Sequence, residues 1–317
     1  MNSNLWQLDM PSDETKKAYL NRFLNDLQKR ILNHESESAS GLKDILIPND
    51  NPSTLEDLLI GEPDTLIRRN DELMKKIENL KSLASLKKTK NIIESIFNYK
   101  GNLSDNPKNS YWLAKKIQRN TCVYCNRLYI FTVEDASTGN HITRPVFDHW
   151  FPKSEYPLLS MSLFNLIPSC TICNTSLKGQ QSLSIDRYFH PYIHDDIEHR
   201  TTFRVSFTDE PEPEWTIKLG CGNSVKAKNT LELFGLNEIY ASHGNLEVND
   251  IMRFYEAYPP DYITHLFNSV LKESKNKMTK ADVFRFFFGT EMESDKFLDR
   301  PLSKMKYDIL KSLGVIV

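Results

Sequence analysis

Asp148 and His149 are neighbours in the chain. A carboxylate oxygen can hold a hard cation and an imidazole can take a proton, so this dipeptide carries two parts of a hydrolytic site. On an extended strand the two side chains face opposite ways, which leaves His149 free of the ion. Asn174, at the head of NTSLKGQQ, could return an amide oxygen to the same metal. Two hard oxygen ligands with open coordination positions suit Mg2+ or Mn2+ better than zinc, and a phosphodiester is the natural substrate of such a pair.

A second set of residues points to a different metal. Cys122 and Cys125 form one Cys-x-x-Cys pair, Cys170 and Cys173 another, and 44 residues separate them. Four thiolates close a tetrahedron around zinc and leave no open position, so the expected role is structural. A single pair could be a thioredoxin-like redox motif, but two pairs flanking Asp148 and His149 speak against it. Cys221 is left over as an inert thiol.

The stretch from Asp148 to Lys178 resembles the ββα-metal core of the HNH endonucleases, in which a two-stranded hairpin and a short helix clasp one divalent ion. On that resemblance Asp148 and His149 fill the first motif position, and Asn165 is the middle Asn that braces the loop backbone. Asn174 is then the metal ligand at the start of the helix, and the four cysteines are the staple of the zinc-containing members. The resemblance covers roughly residues 119 to 192. It implies that His149 deprotonates the attacking water, that Asp148 and Asn174 hold Mg2+ or Mn2+, and that Asn165 positions. Bacterial proteins of this type resemble nuclease effectors of phage-defence systems, Septu-like and retron-associated ones among them. That implies an antiviral role with an ABC-type ATPase subunit as partner.

Composition is that of a soluble globular chain, with 39% hydrophobic and 26% charged residues in 317, enough for about two domains. No apolar run is long enough to span a bilayer and the first residues carry no signal-peptide pattern, so a cytoplasmic protein without membrane contact is expected. The net charge of −2 is no nucleic-acid signature by itself. Its distribution is more telling: Arg68 to Arg127 holds fourteen Lys or Arg against five Asp or Glu. Such a segment, with Lys87, Lys88, Lys90, Lys115 and Lys116 as candidates, can supply phosphate contacts, although a solvated helix face reads the same way.

The elements that must position these groups read as α+β. Leu20, Phe23, Leu27 and Ile31 mark an amphipathic helix over 14–33, followed by a loop at HESESASG. Helices follow from about Thr54 and from Pro63, and the apolar face through Phe97 is expected to stop at Gly101. A short helix from Ser110 leads into the first cysteine pair, Leu128 to Val133 is strand-like, and Pro145 to Phe151 is extended. Residues 203–207 and 215–219 alternate as an antiparallel pair joined by DEPEPE. Helices are then expected at 224–235, 246–258, 260–273, 279–288 with Thr279 as cap, and 302–313 ending at Gly314. The division expected is a helical region over 1–118, the zinc-stapled core over 119–192, and a β-hairpin plus helical region over 193–317. The closing segment FLDRPLSKMKYDILKSLG receives no chemistry.

Several residues keep two readings. Asn174 could cap a helix instead of binding metal. Lys178 could touch a phosphate or be solvated. His190, His194 and His199 read better as ordinary residues than as ligands, and Trp150 and Phe151 as packing. The expected function is therefore a metal-dependent HNH endonuclease acting on nucleic acid, DNA before RNA. The alternative is a non-catalytic zinc-knuckle module that binds nucleic acid or a partner protein.

Overall fold

The Ser12 side chain accepts from the Thr15 N–H at 3.2 Å and starts helix α1, Asp13–Asn33, whose first turn carries Asp13 and Glu14. Tyr19, Phe23, Leu27 and Ile31 recur every four residues and are its buried stripe. The computed structural model describes residues 5–34, 41–80, 86–193, 201–208, 214–259, 261–271 and 278–316. Most of the HESESASG loop, the DEPEPE connection up to Pro213, and both His194 and His199 lie outside the described residues, as do the side chains of Lys87 and Lys88.

Helices α2 (Leu42–Leu46), α3 (Ser53–Ile60), α4 (Pro63–Glu78), α5 (Leu86–Phe97) and α6 (Pro107–Ile117) complete the N-terminal part. Pro63 and Pro107 both sit in the first turn, where a missing N–H costs nothing. The expected stop at Gly101 is corrected: Asn98 takes the left-handed conformation at φ 41°, and Gly101 lies inside a π-helical turn, Lys100–Ser104. An Asn tolerates that backbone because its short side chain bonds locally, here Oδ1 to the Gly101 N–H at 3.1 Å.

Strand formation after α6 is also shorter than the sequence suggested. Of Leu128 to Val133 only Val133 enters a strand, β1 (Val133–Glu134), which pairs with β2 (His141–Thr143), and Tyr129 makes one isolated bridge to Thr121. The backbone here instead wraps the first cysteine pair, with Cys122 N–H bonded to Leu128 O and Asn126 N–H to Cys122 O. Strand β3 (Val146–His149) pairs antiparallel with β4 (Leu166–Ser169) in the register Val146 to Ser169, Asp148 to Ile167 and His149 to Leu166. Pro168 is tolerated in β4 because the sheet has only two strands. Directly after β4 comes a π-helical turn, Ile172–Lys178, closed by Gly179 at φ 54°.

The third hairpin, β5 (Thr202–Thr208) with β6 (Glu214–Gly220), follows the expected alternation. Helices α7 (Val225–Leu233), α8 (Leu236–Ala241), α9 (Asn249–Ala257), α10 (Tyr262–Leu266), α11 (Lys280–Phe288) and α12 (Ser303–Ser312) complete the chain. Thr279 caps α11 through a reciprocal box with Asp282, and Gly314 ends the last helix at φ 72°. The architecture is α+β, with three two-stranded antiparallel sheets among helices in the described residues. One apolar core runs from Leu5 to Ile316 and takes in residues from all three stretches of the chain. Among the described residues no helix is long and apolar enough to cross a membrane.

The long connection between β3 and β4 is fastened at several points. Tyr19 of α1 donates its hydroxyl to Met161 O at 2.8 Å, and Ser162 donates to Leu58 O of α3. Trp150 and Phe151 are buried beneath it, the Trp150 indole donating to Phe189 O at 3.1 Å, which is the packing role expected of them.

Candidate active site and four-cysteine cluster

Cys122, Cys125, Cys170 and Cys173 are all buried, and their sulfurs lie within 4.8 Å of one another. Tetrahedral zinc with bonds near 2.3 Å needs sulfurs about 3.8 Å apart, so this grouping is of the size that could hold the ion. The first pair sits in the tight turn after α6, the second at the end of β4 and the start of the π-helical turn, so the cluster ties the two segments together. Cys170 Sγ also accepts from the Cys173 N–H at 3.4 Å. The hydrogen bonds among the four hold the Cys170 thiol well below its ordinary range, whereas burial pushes Cys122 up.

The C-terminal segment that the sequence left without a task closes over this turn. Asn126, at φ 45° and fully buried, donates Nδ2 to Phe297 O at 2.9 Å and Arg300 O at 3.1 Å. Its own carbonyl accepts from the Leu302 N–H at 2.7 Å, and Thr121 Oγ1 donates to Leu298 O at 2.6 Å. Tyr240 of α8 adds a hydroxyl bond to Cys125 O at 2.5 Å.

Asp148, His149, Asn174 and Lys178 border one cavity of about 410 Å³, together with Arg144 and Lys153. Strand alternation would separate Asp148 from His149, but His149 is the last residue of β3 and the cavity wraps that end. In the π-helical turn residues four apart share a face, so Asn174 and Lys178 reach the same space. The cap position of this turn is held by Thr171 and not by Asn174, whose backbone N–H goes to Cys170 O and whose carbonyl accepts from Gly179.

Asp148 is 2% exposed and fully engaged. Lys178 Nζ donates to Oδ1 at 3.0 Å and the Tyr124 hydroxyl donates to Oδ2 at 2.6 Å. Burial pushes the carboxyl above its ordinary range, and Lys178 and Tyr124 pull it back. Lys178 also donates to His149 O at 2.7 Å. It is therefore neither solvated nor on the open surface: its ammonium is a buried partner of the candidate metal ligand.

His149 Nε2 lies 2.9 Å from Ser160 O. A carbonyl can only accept, so Nε2 carries the proton and Nδ1 carries the lone pair. The ring meets Tyr99 edge-on at 4.3 Å between centroids. Burial lowers its pKa to about 4, with Lys153 and Lys178 acting in the same direction against the Ser160 bond, so the imidazole is neutral at pH 7.

Asn165 is fully buried and bonded across the loop. Its Oδ1 accepts from the Phe151 N–H at 2.7 Å, while Nδ2 donates to Phe151 O at 3.1 Å and Leu159 O at 2.9 Å. These bonds fix both ends of the segment that presents Ser160 to His149. His190 is buried against Trp150 and Phe151 and takes no part in the cavity, in line with its reading as a core residue.

Sequence reasoning missed Tyr124, Arg144, Lys153 and Tyr99. Tyr124 stands between the first two cysteines, so its carrying Asp148 links the four-cysteine cluster to the cavity. Arg144 precedes Pro145 at the entry to β3, and its guanidinium bonds Pro145 O at 2.8 Å and Ser104 O at 3.2 Å. Lys153 lies 5.8 Å over the Tyr99 ring. Of the basic segment proposed for phosphate contact, Lys90, Lys115 and Lys116 are absent from this cavity wall, and Lys115 pairs with Glu134.

No family model matches the chain, and no solved structure does. One curated protein is similar over a short stretch: protein ea31 of Escherichia phage lambda, 42% identical over 52 residues, which are 16% of this chain and 18% of that protein.

Proposed function

We propose that the chain is a metal-dependent endonuclease of the HNH type, hydrolysing nucleic-acid phosphodiesters, DNA in preference to RNA. The observation that carries this reading is the convergence of Asp148, His149 and Asn174 on one cavity lined by β3 and the π-helical turn, in a chain whose β4, paired with β3, leads into the second pair of the four-cysteine cluster. On this reading β3, β4 and the turn are the ββα core and the cluster is its structural zinc staple. Arg144, Lys153 and Lys178 make the cavity wall cationic, as an anionic diester requires.

Asp148 and Asn174 offer hard oxygen donors of the kind Mg2+ and Mn2+ prefer, on the condition that Lys178 gives up Asp148 Oδ1. When bound, such an ion supplies charge stabilisation to the phosphate and to the departing oxygen. His149 Nδ1 takes the proton of the attacking water, and the bond from Nε2 to Ser160 keeps the ring in the tautomer that permits it. The diester's negative charge raises the ring's affinity for that proton as the reaction proceeds. Lys178, released from Asp148, can join Arg144 and Lys153 on the non-bridging oxygens. Asn165 holds the loop and touches no reacting atom.

A second reading rests on the same ion pair. A carboxylate whose two oxygens are already taken by Tyr124 and Lys178 suits a purely structural core, as in a non-catalytic module binding nucleic acid or a protein partner. Incubating the full chain with supercoiled plasmid, single-stranded DNA and transfer RNA, with and without Mg2+ or Mn2+, separates the two. Ion-dependent cleavage that His149→Ala abolishes supports the nuclease; equal products from parent and variant sink it. A place in phage defence beside an ABC-type ATPase is the further step the resemblance suggests, tested by co-purification with the product of an adjacent ATPase gene.

A further inference from the structure

Beside the cavity lies a second depression of about 410 Å³, sharing Arg144 and Val146 with it. Its floor carries two rings that are far from buried, Tyr129 at 49% exposure and Phe131 at 43%. They stack on each other at 4.5 Å with planes 19° apart, so the pair extends a short aromatic stack whose outer face can take a further ring. Phe131 also borders a third depression, where Lys115 and Arg119 stand opposite Asp299. The three therefore follow one another without a break: cations at the first, aromatic faces at the second, cations again at the third.

Resting on the nuclease reading, we propose that this track holds a single-stranded nucleic acid, with one or two bases stacked on Tyr129 and Phe131. The backbone then runs from the Lys115 and Arg119 side past Arg144 to the scissile phosphate. The alternation fits this occupant better than an apolar peptide, because every nucleotide brings a π-face and a phosphate in turn. Lys115 is engaged with Glu134 but its side chain is 55% exposed, and such a surface pair is weak enough for a phosphate to recruit the cation, whereas Arg119, 9% exposed, stays with Asp9 and adds only its charge. A continuous duplex buries its base faces and cannot use the stack, so the site selects unpaired strands, DNA or RNA.

The test is fluorescence anisotropy with labelled oligonucleotides and full-length His149→Ala protein, without divalent ions, so that neither cleavage nor metal is needed for the signal. Tyr129→Ala and Phe131→Ala are each expected to weaken single-strand binding about five- to a hundredfold, the range for loss of one stacked base. Tyr129→Phe should retain it, and binding of the matching duplex should not move. Parallel DNA and RNA oligonucleotides show which strand the track prefers. Both rings being exposed, the unfolding midpoint should stay in place and certify the variants. Unchanged single-strand affinity overturns the proposal, as does an equal loss for duplex and single strand. If the parent chain cleaves nothing while Tyr129→Ala still weakens single-strand binding, the nuclease reading falls and the track stands.

Discussion

The Lys178 ammonium lies 3.0 Å from Asp148 Oδ1, with side-chain exposures of 1% and 3%. Two opposite charges so deeply buried depend on each other. Alone, either would sit in a poorly solvating interior with its desolvation uncompensated. Asp148 consequently has a duty to the fold, to which the proposed function adds a second, to a divalent ion.

The first prediction concerns stability. Asp148→Ala strands the Lys178 charge and should cost about 3–5 kcal/mol, the usual range for breaking a buried pair. Adding Lys178→Met removes the stranded charge and should recover most of that loss. Urea unfolding of both variants measures it; a double variant no more stable than Asp148→Ala alone would show that the pair is not the source.

A second prediction concerns ion binding. Because Lys178 places a positive charge on a candidate ligand oxygen, Lys178→Met should tighten Mn2+ binding on the order of tenfold. Calorimetric titration of Mn2+ without nucleic acid isolates this from any loss of phosphate contact. Weaker Mn2+ binding in Lys178→Met would mean that the lysine helps to build the ion site.

The four-cysteine cluster yields the third. Protein purified without added metal should contain about one zinc per chain. Cys170→Ser should lose zinc and fold stability together, since the free energy of binding is part of the free energy of folding. Asn126→Ala leaves the thiols in place but frees Phe297 O and Arg300 O from their donor, so it should loosen the turn and speed zinc loss to a chelator. Chelator kinetics identical to the parent would remove the C-terminal clamp from the account.

The fourth uses pH. His190 is 1% exposed and burial pushes its pKa down to about 3. An unfolded histidine binds its proton near pH 6.5, whereas the folded one refuses it until about 3. The unfolded state then holds the extra proton in that window, so stability falls as pH drops from 6.5, by about 1.4 kcal/mol per unit well inside it. His190→Gln should flatten the slope by one proton. If the parent and variant curves stay parallel, the decline belongs to other groups.

What the sequence made legible is local. The two Cys-x-x-Cys steps, the Asp148–His149 dipeptide and the Asn174 to Lys178 spacing are each set within a few residues, and the structure brings the corresponding groups together as their spacing suggests. The partners of Asp148 were not legible, because Tyr124 and Lys178 stand 24 and 30 residues away and nothing in a chain records which buried donor will meet which carboxylate. The misplaced strand at Leu128 to Val133 has a similar cause. Its β-branched and aromatic residues favour extended backbone, but wrapping Cys122 and Cys125 claims the Leu128 carbonyl first.

The last prediction bears most on the proposed function. With its ring held near a pKa of 4 by burial, His149 is already deprotonated across the physiological range. For kcat/KM, which reports the free enzyme, the acidic limb should therefore fall below about pH 5 and not near the 6.5 of an ordinary histidine. His149→Ala should lower cleavage by two to four orders of magnitude, roughly the contribution of a positioned base, while leaving zinc content and oligonucleotide affinity close to the parent's. Ser160 meets His149 through its backbone carbonyl, while its hydroxyl donates to Pro157 O at 2.8 Å, so Ser160→Ala should preserve the tautomer and cost about 1 kcal/mol of stability from the lost loop bond. Asn165→Ala, by contrast, unfastens the loop that presents that carbonyl and should lower kcat far more than it raises KM. Cleavage by His149→Ala at the parental rate, in protein shown free of contaminating nuclease, would leave Nδ1 without a task and return the cavity to the non-catalytic reading.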